Sequence, residues 1–292
     1  MCQRRASTAI QCSAVSTRDN QRNELAALQP IPGEIPWGAD AMSTAIWRGV
    51  PLREVLLAAG IKSRARHVAF LGLDTIERGG EPIGFGGPIP IEKAMSAEKL
   101  LAYEMNDDPL PLLHGFPLRI MVPGYIGARS VKWVTNIHVQ EHPSTNYFQQ
   151  HAYKRFPVHV QAESADWTTG QMLGELPLNA VICHPQEGEH LAAGPVHIEG
   201  YAITGAGDQI ERVELSVDEG TTWTPATILK PSSAWTWQFW EATLHLPAGT
   251  YQLAVRAWDS AGRTQPQDIR QVWNWKGYLN HAWHRVQIAI QK

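Results

Sequence analysis

The sequence is poor in cysteine. Its 292 residues include three, Cys2, Cys12 and Cys183. An odd number at wide spacing excludes a disulfide framework and a zinc signature, and it fits a mostly reduced setting. An excess of one charge is also missing: 25 Lys and Arg stand against 28 Asp and Glu, for a formal net charge of -3. No basic run or stripe occurs, so neither nucleic acid nor an anionic membrane surface is an expected partner. No apolar run approaches the length of a membrane-spanning helix. The start, Met1-Cys2-Gln3-Arg4-Arg5, is polar, and Arg4-Arg5 is not followed by the apolar stretch of an export signal. The final Ile290-Gln291-Lys292 is not a peroxisomal tripeptide. What is present is a globular balance of 43% hydrophobic and 18% charged residues, enough for two domains with a core each. Tryptophan is abundant: eight of the 12 lie after residue 220, which sets that end apart.

The two ends differ in pattern. Residues 1–40 are mostly loop by composition, punctuated by Pro30, Pro32, Gly33, Pro36 and Gly38. Residues 50–60 predict a short amphipathic helix with Leu52, Val55, Leu56 and Leu57 on one face and Gly60 as C-cap. His67–Leu71 predicts a strand, and 89–105 a second helix with a turn, ending in Leu100-Leu101-Ala102-Tyr103-Glu104-Met105. Asn106–Pro109 is a turn. Residues 116–139 alternate strands and Gly turns (FPLRIMVPG, YIGAR, SVKWVTNIHV), with Val131, Trp133, Thr135 and Ile137 facing one way. From 178 onward short strands recur at regular spacing between turn residues, the pattern of an antiparallel sandwich. Ser216–Trp223 reads as a structural hairpin turn. The boundary falls near 176. Cys183 is expected as a buried or half-buried thiol, and His184, His190 and His281 show no spacing of a second metal site.

Several segments carry a resemblance. His114-Gly115-Phe116-Pro117-Leu118-Arg119 is followed by Val122-Pro123-Gly124-Tyr125-Ile126-Gly127-Ala128-Arg129-Ser130-Val131-Lys132-Trp133. Leu101–Asn106 precedes them, and Trp273-Asn274-Trp275-Lys276-Gly277 and Asn280–Val286 come later. Together, in this order, they resemble the sulfite oxidase and assimilatory nitrate reductase family, from about residue 20 onward. The resemblance implies an α+β chain: a mixed sulfite-oxidase-type molybdopterin domain over 1–176, incomplete at its N-terminus, then an all-β immunoglobulin-like dimerisation sandwich over 177–292. It implies a molybdenum–molybdopterin cofactor (Moco) and a homodimer, with no haem or flavin domain and hence a separate electron acceptor. Relatives occur in mitochondria, peroxisomes and the periplasm, so the compartment stays open.

The residue types suit that cofactor. Its phosphate tail needs fixed cations and close backbone N–H groups. Arg119, Arg129 and Lys132 supply charge, Gly124, Gly127 and Ser130 close approach and hydrogen bonds, and His114 a ring nitrogen. Molybdenum accepts a soft thiolate, and the resemblance assigns that ligand to Cys12. The family pattern Cys-x-Gly-Asn-Arg-Arg is altered here. Asn20 and Arg22 match its Asn and second Arg, the Gly is lost, and about five residues are inserted after Cys12. Eleven residues precede Cys12, fewer than the strand–helix layer relatives carry.

By position in the family, Arg22, Trp37, Tyr153 and Lys276 form the substrate site. Arg22 binds the anion, Trp37 walls the pocket, Tyr153 hydrogen-bonds, and Lys276 replaces a usual arginine, keeping charge without the planar fork. The implied reaction is oxygen-atom transfer that oxidises sulfite to sulfate. Nitrate reductases usually carry Asn at Tyr153 and an uncharged residue at Lys276, so sulfite is preferred over a nitrate reductase-like activity. A third reading is an inactive truncated relative acting as a dimerisation module, with Trp235, Trp237, Trp240, Trp273, Trp275 and Trp283 divided between core and interface.

Overall fold

A computed structural model of the chain describes residues 8–16, 20–205, 207–229 and 233–292. It is mostly β, with three short α-helices, and resolves into two compact units. The first takes in residues 8–16 and Ser43–Glu175. The second takes in Leu176–Lys292 together with the described part of Asp19–Met42. Each is described by itself.

The first unit has two main sheets. A five-stranded one runs Ala9–Ser16, Met42–Pro51, Leu100–Met105, Asp108–Pro109, with Arg119–Met121 also pairing Leu100–Met105. An antiparallel three-stranded one runs Glu81–Pro90, His67–Arg78, Val134–Gln140. The helix Leu52–Ala59 buries Leu52 and Leu56 against Val68, Phe70, Ile89, Ile120 and Val131. Gly60, at φ 78°, caps it as expected. Leu57 is 62% exposed, because a residue five places after Leu52 has turned well off the buried face.

Several sequence expectations are corrected here. Leu100–Met105 is a strand, and the second helix shrinks to Ile91–Met95. The short apolar run fits either period. What decides is its place between two partner strands, where Gly49 lets the backbones close up: a Cβ there would sit 2.4 Å from the Leu101 carbonyl oxygen. Asn106 and Asp107, both at positive φ, then make a two-residue hairpin loop to Asp108. Ala9–Ser16 is a strand and Arg22–Leu28 a helix where loop was expected. Gly127–Arg129 is a turn of 3-10 helix, not a strand. The strand expected from Ser130 begins at Val134, since Trp133 takes a φ of 50°. A register shift between Leu71 and Gly72 leaves Thr135 as the extra residue, with Asn136 opposite Leu71 and Val134 opposite Gly72. That bulge puts Val134 and Ile137 on the same core.

The second unit is a two-sheet sandwich. One sheet runs Asn179–His184, Gly194–Ile203, Gln238–Leu246, Thr227–Ile228. The other runs Glu189–Ala192, His284–Gln291, Gly249–Asp259, Ile210–Ser216, Thr224–Pro225. Between them lie Ile182, Ile198, Leu215, Trp240, Val255 and Ile288 among others. Trp223–Leu229 splits between the sheets, Thr224–Pro225 joining one and Thr227–Ile228 the other, and Glu189–Ala192 forms an edge strand. Ser216–Trp223 is a turn held by its own side chains: Asp218 accepts from Thr222 N at 2.8 Å and from Thr222 Oγ1 at 2.6 Å. Trp240 is core at 1% exposure, with Trp273 and Trp283 also buried. Cys183 is exposed, which corrects the buried reading, because its strand shifts register between Ile182 and His184. The helix Arg22–Leu28 joins this unit through Leu25 and Ile31, which pack on Val272, Trp273 and Ala282. Among the described residues no helix is long and apolar enough to cross a membrane.

Candidate functional site

In the first unit, the strand Arg119–Met121 carries Arg119 into the interior, where it is 5% exposed. Its two terminal nitrogens donate to backbone carbonyls, His114 O at 3.0 Å and Ser130 O at 3.2 Å. Its Nε has no hydrogen-bond partner, and the guanidinium lies over Trp47, 4.7 Å from the ring centroid. Burial pushes its pKa down to about 10, which still leaves it charged at neutral pH. Lys132 donates to Leu113 O at 3.0 Å and sits over Trp133 at 4.2 Å. Burial and the neighbouring Arg119 charge hold it below the usual lysine range. Arg119 and Lys132 make no ion pair with a described residue.

Gly115 draws these cations together. It follows the 3-10 turn Leu112–His114 at φ 108°, and a Cβ there would stand 2.9 Å from Lys132 Cβ and 3.2 Å from Arg119 Cβ. His114 itself is exposed. Ser130 closes the Gly127–Arg129 turn, donating its N–H to Gly127 O at 3.0 Å and accepting from Val122 N at 3.0 Å through Oγ. Arg129 is fully buried, donates Nε and NH2 to Leu173 O at 3.0 and 2.7 Å, and lies 5.7 Å from the Tyr153 ring. Tyr153 is buried and stacks on Phe148. His114, Arg119, Ser130 and Lys132 are thus one cluster, and Arg129 with Tyr153 another. Among the described residues Asp74 is the one carboxylate that acts on Lys132, and it makes no ion pair with it; a buried arginine whose Nε is idle among them, beside a second cation, suits an anionic ligand such as a phosphate-bearing pterin. The Cys12 backbone lies in the strand Ala9–Ser16. Its side chain, and residues 17–19 of the insertion, lie outside the described residues.

In the second unit, Gln21 at φ 60° starts the helix that carries Arg22, which is 1% exposed. Arg22 donates NH1 to Ile35 O at 3.0 Å, pairs NH2 with Glu34 Oε2 at 3.3 Å, and lies 5.5 Å from the Tyr278 ring centroid. Lys276 donates to the other oxygen, Glu34 Oε1, at 2.8 Å. Trp37 is 45% exposed, and its carbonyl accepts from Asn23 N at 3.1 Å. Behind Arg22, Glu24 accepts from Asn280 at 2.9 Å and faces His284 Nε2 at 3.3 Å. His284 Nδ1 accepts from Ile182 N at 3.2 Å, which puts its proton on Nε2, the nitrogen that faces Glu24. Burial raises Glu24 to about 7 and lowers His284 to about 4.

Sequence reasoning singled out Arg22, Trp37 and Lys276 but missed Glu34, Trp47 and Tyr278. Nothing local marks Glu34: its bond to Lys276 spans 242 residues.

Residues 1–148 match the family model described as "Oxidoreductase molybdopterin binding domain", and 170–291 the one described as "Mo-co oxidoreductase dimerisation domain". The chain belongs to the sulfite oxidase family of molybdopterin-binding oxidoreductases. It is 39% identical over 286 residues to sulfite oxidase of Gallus gallus, covering 94% of this chain and 60% of that one. It is 38% identical over 278 residues to an inducible nitrate reductase [NADH] of Glycine max, covering 87% of this chain and 31% of that one. It therefore spans between half and three fifths of the length of most sulfite oxidases it matches. The sulfane dehydrogenase SoxCD of Paracoccus pantotrophus has the same fold, with a TM-score of 0.80 at 22% identity, over 99% of this chain and 72% of that one. The family binds the molybdenum cofactor.

Proposed function

We propose that this chain oxidises sulfite to sulfate with the molybdenum cofactor. The observation that carries the reading is buried Arg119, which makes no ion pair with a described residue, leaves its Nε without a partner among them and lies beside Lys132. In this reading Arg119, Lys132 and Ser130 hold the pterin phosphate, with Gly127, Arg129 and His114 completing its surroundings, and Cys12 supplies the thiolate to molybdenum. When bound, the cofactor supplies the oxidising power for a two-electron reaction in which sulfite and water give sulfate, two protons and two electrons. Arg22 and Lys276 bind the oxyanion, and Trp37 shields one side of it. A separate acceptor takes the electrons, and the second unit joins two copies of the chain.

The test is expression in a host that makes the cofactor, followed by molybdenum content and sulfite turnover. About one metal per chain with sulfite-dependent reduction of an artificial acceptor is expected, and Cys12→Ser should carry no stable metal. A folded chain without metal would sink the reading. A nitrate reductase-like activity is the second reading, motivated by the Glycine max relative. Tyr153 and Lys276 favour sulfite, and nitrate turnover exceeding sulfite turnover would reverse that preference. For the dimer, a solution mass near the 32.5 kDa of one chain at micromolar concentration would count against it.

A further inference from the structure

Glu34 is unexpected where it stands. Two cations assigned to an oxyanion already share an anion, and it comes from the protein. The carboxylate splits its oxygens between them, Oε2 to Arg22 at 3.3 Å and Oε1 to Lys276 at 2.8 Å. Arg22 does not need it to stay in place. Its NH1 is fixed by Ile35 O, its face lies on Tyr278, and Gly277 packs so tightly that a Cβ would come within 2.8 Å of Arg22 Cγ. Glu34 and Lys276 are also the more accessible partners: their side chains are 18% and 26% exposed, against 2% for Arg22. An arriving anion meets the carboxylate and the ammonium first.

We propose that Glu34 is a specificity-determining residue: by cancelling one unit of positive charge beside Arg22 and Lys276, it shifts the selectivity of the site away from doubly charged and toward singly charged oxyanions. This rests on the reading of Arg22 and Lys276 as the anion site. Its chemical consequence concerns product release. Sulfite is partly protonated to the monoanion near neutral pH, whereas sulfate is a dianion throughout. Removing one unit of positive charge weakens the hold on the dianion more than the hold on the monoanion, which eases release of the product.

Coulomb's law makes the idea measurable, because a change of one fixed charge acts twice as strongly on a dianion as on a monoanion at the same distance. The experiment reads the thermal shift of the full chain against sulfate and against nitrate, at constant ionic strength. It needs no turnover. Glu34→Gln should tighten sulfate about tenfold and nitrate about threefold, a two-to-one ratio of logarithms. Glu34→Ala removes the same charge without a new amide and should reproduce that ratio. Glu34→Asp keeps the charge and should leave the sulfate-to-nitrate ratio at its wild-type value. Equal factors for the two anions, or weakening of both, would mean that Glu34 only holds the loop and would overturn the proposal. Lys276→Met separates the two claims. If it loosens sulfate while Glu34→Gln changes nothing, the anion site stands and the role of Glu34 falls. If it leaves sulfate binding unaltered, the anion site and the role of Glu34 fall together.

Discussion

The two units treat positive charge in opposite ways. In the first, buried Arg119 and half-buried Lys132 donate to carbonyl oxygens and lie over tryptophan rings, with no ion pair to a described residue. In the second, Arg22 is more deeply buried, yet Glu34 neutralises it from inside the protein. Burying a charge without a counter-ion costs several kcal/mol unless a ligand completes it. On the proposed reading the first arrangement awaits an anion, and binding recovers that cost. The second is complete in the folded chain, and an anion arriving there must share or displace what is already present.

Substitutions sharpen this contrast. Arg22→Met should have the largest effect, lowering stability by about 3 kcal/mol, because it breaks a buried pair and strips Glu34 of a partner; urea denaturation measures it, and a loss under 1 kcal/mol would deny that the pair is structural. Gly277→Ala should cost about 2 kcal/mol in the same assay. It asks an alanine to hold φ 62° and drives a Cβ to 2.6 Å from Ile31 Cδ1.

The pair behind Arg22 predicts a pH dependence. Burial lowers His284 from 6.5 to about 4, so its stabilising contribution falls as pH drops from 6.5 toward 4, where the unfolded chain takes up the proton first. Burial raises Glu24 from 4.5 to about 7, so its contribution is lost as pH rises from 4.5 through 7. The slopes oppose each other between 4.5 and 6.5 and leave the wild type nearly flat there. Glu24→Gln removes one of them. Stability should then rise with pH across that window by up to about 1.4 kcal/mol per unit, and a variant as flat as the wild type would dissolve the pairing. Arg119→Met should have the smallest effect on the cofactor-free chain, within about 1 kcal/mol, while cutting cofactor content about tenfold. A large loss of stability without cofactor would place Arg119 in the same class as Arg22 and erase the contrast.

How far the sequence foretold this depends on range. The helix ending at Gly60, the sandwich strands and the hairpin at Asp218 rest on local periodicity and turn chemistry, and they were legible. Leu100–Met105 was misread because a six-residue apolar run carries no period of its own, and its state was set by strands far along the chain. Arg119 and Lys132 lie thirteen residues apart in the chain, so their meeting at Gly115 needs only short-range folding. Glu34 was not legible, since a lone acid in a proline-rich loop looks solvated until a lysine 242 residues away is folded against it.

The path of the chain carries a last consequence. Within its first fifty residues it leaves the first unit and returns, contributing Leu25 and Ile31 to the second, before it leaves again at Leu176. No single cut separates the units. A fragment beginning at Leu176 would uncover Val272, Trp273 and Ala282, and deprive His284 of its Glu24 partner. Exchange of the second unit with another protein by one recombination would fail for the same reason, so the two units are bound to be inherited, and engineered, as one piece.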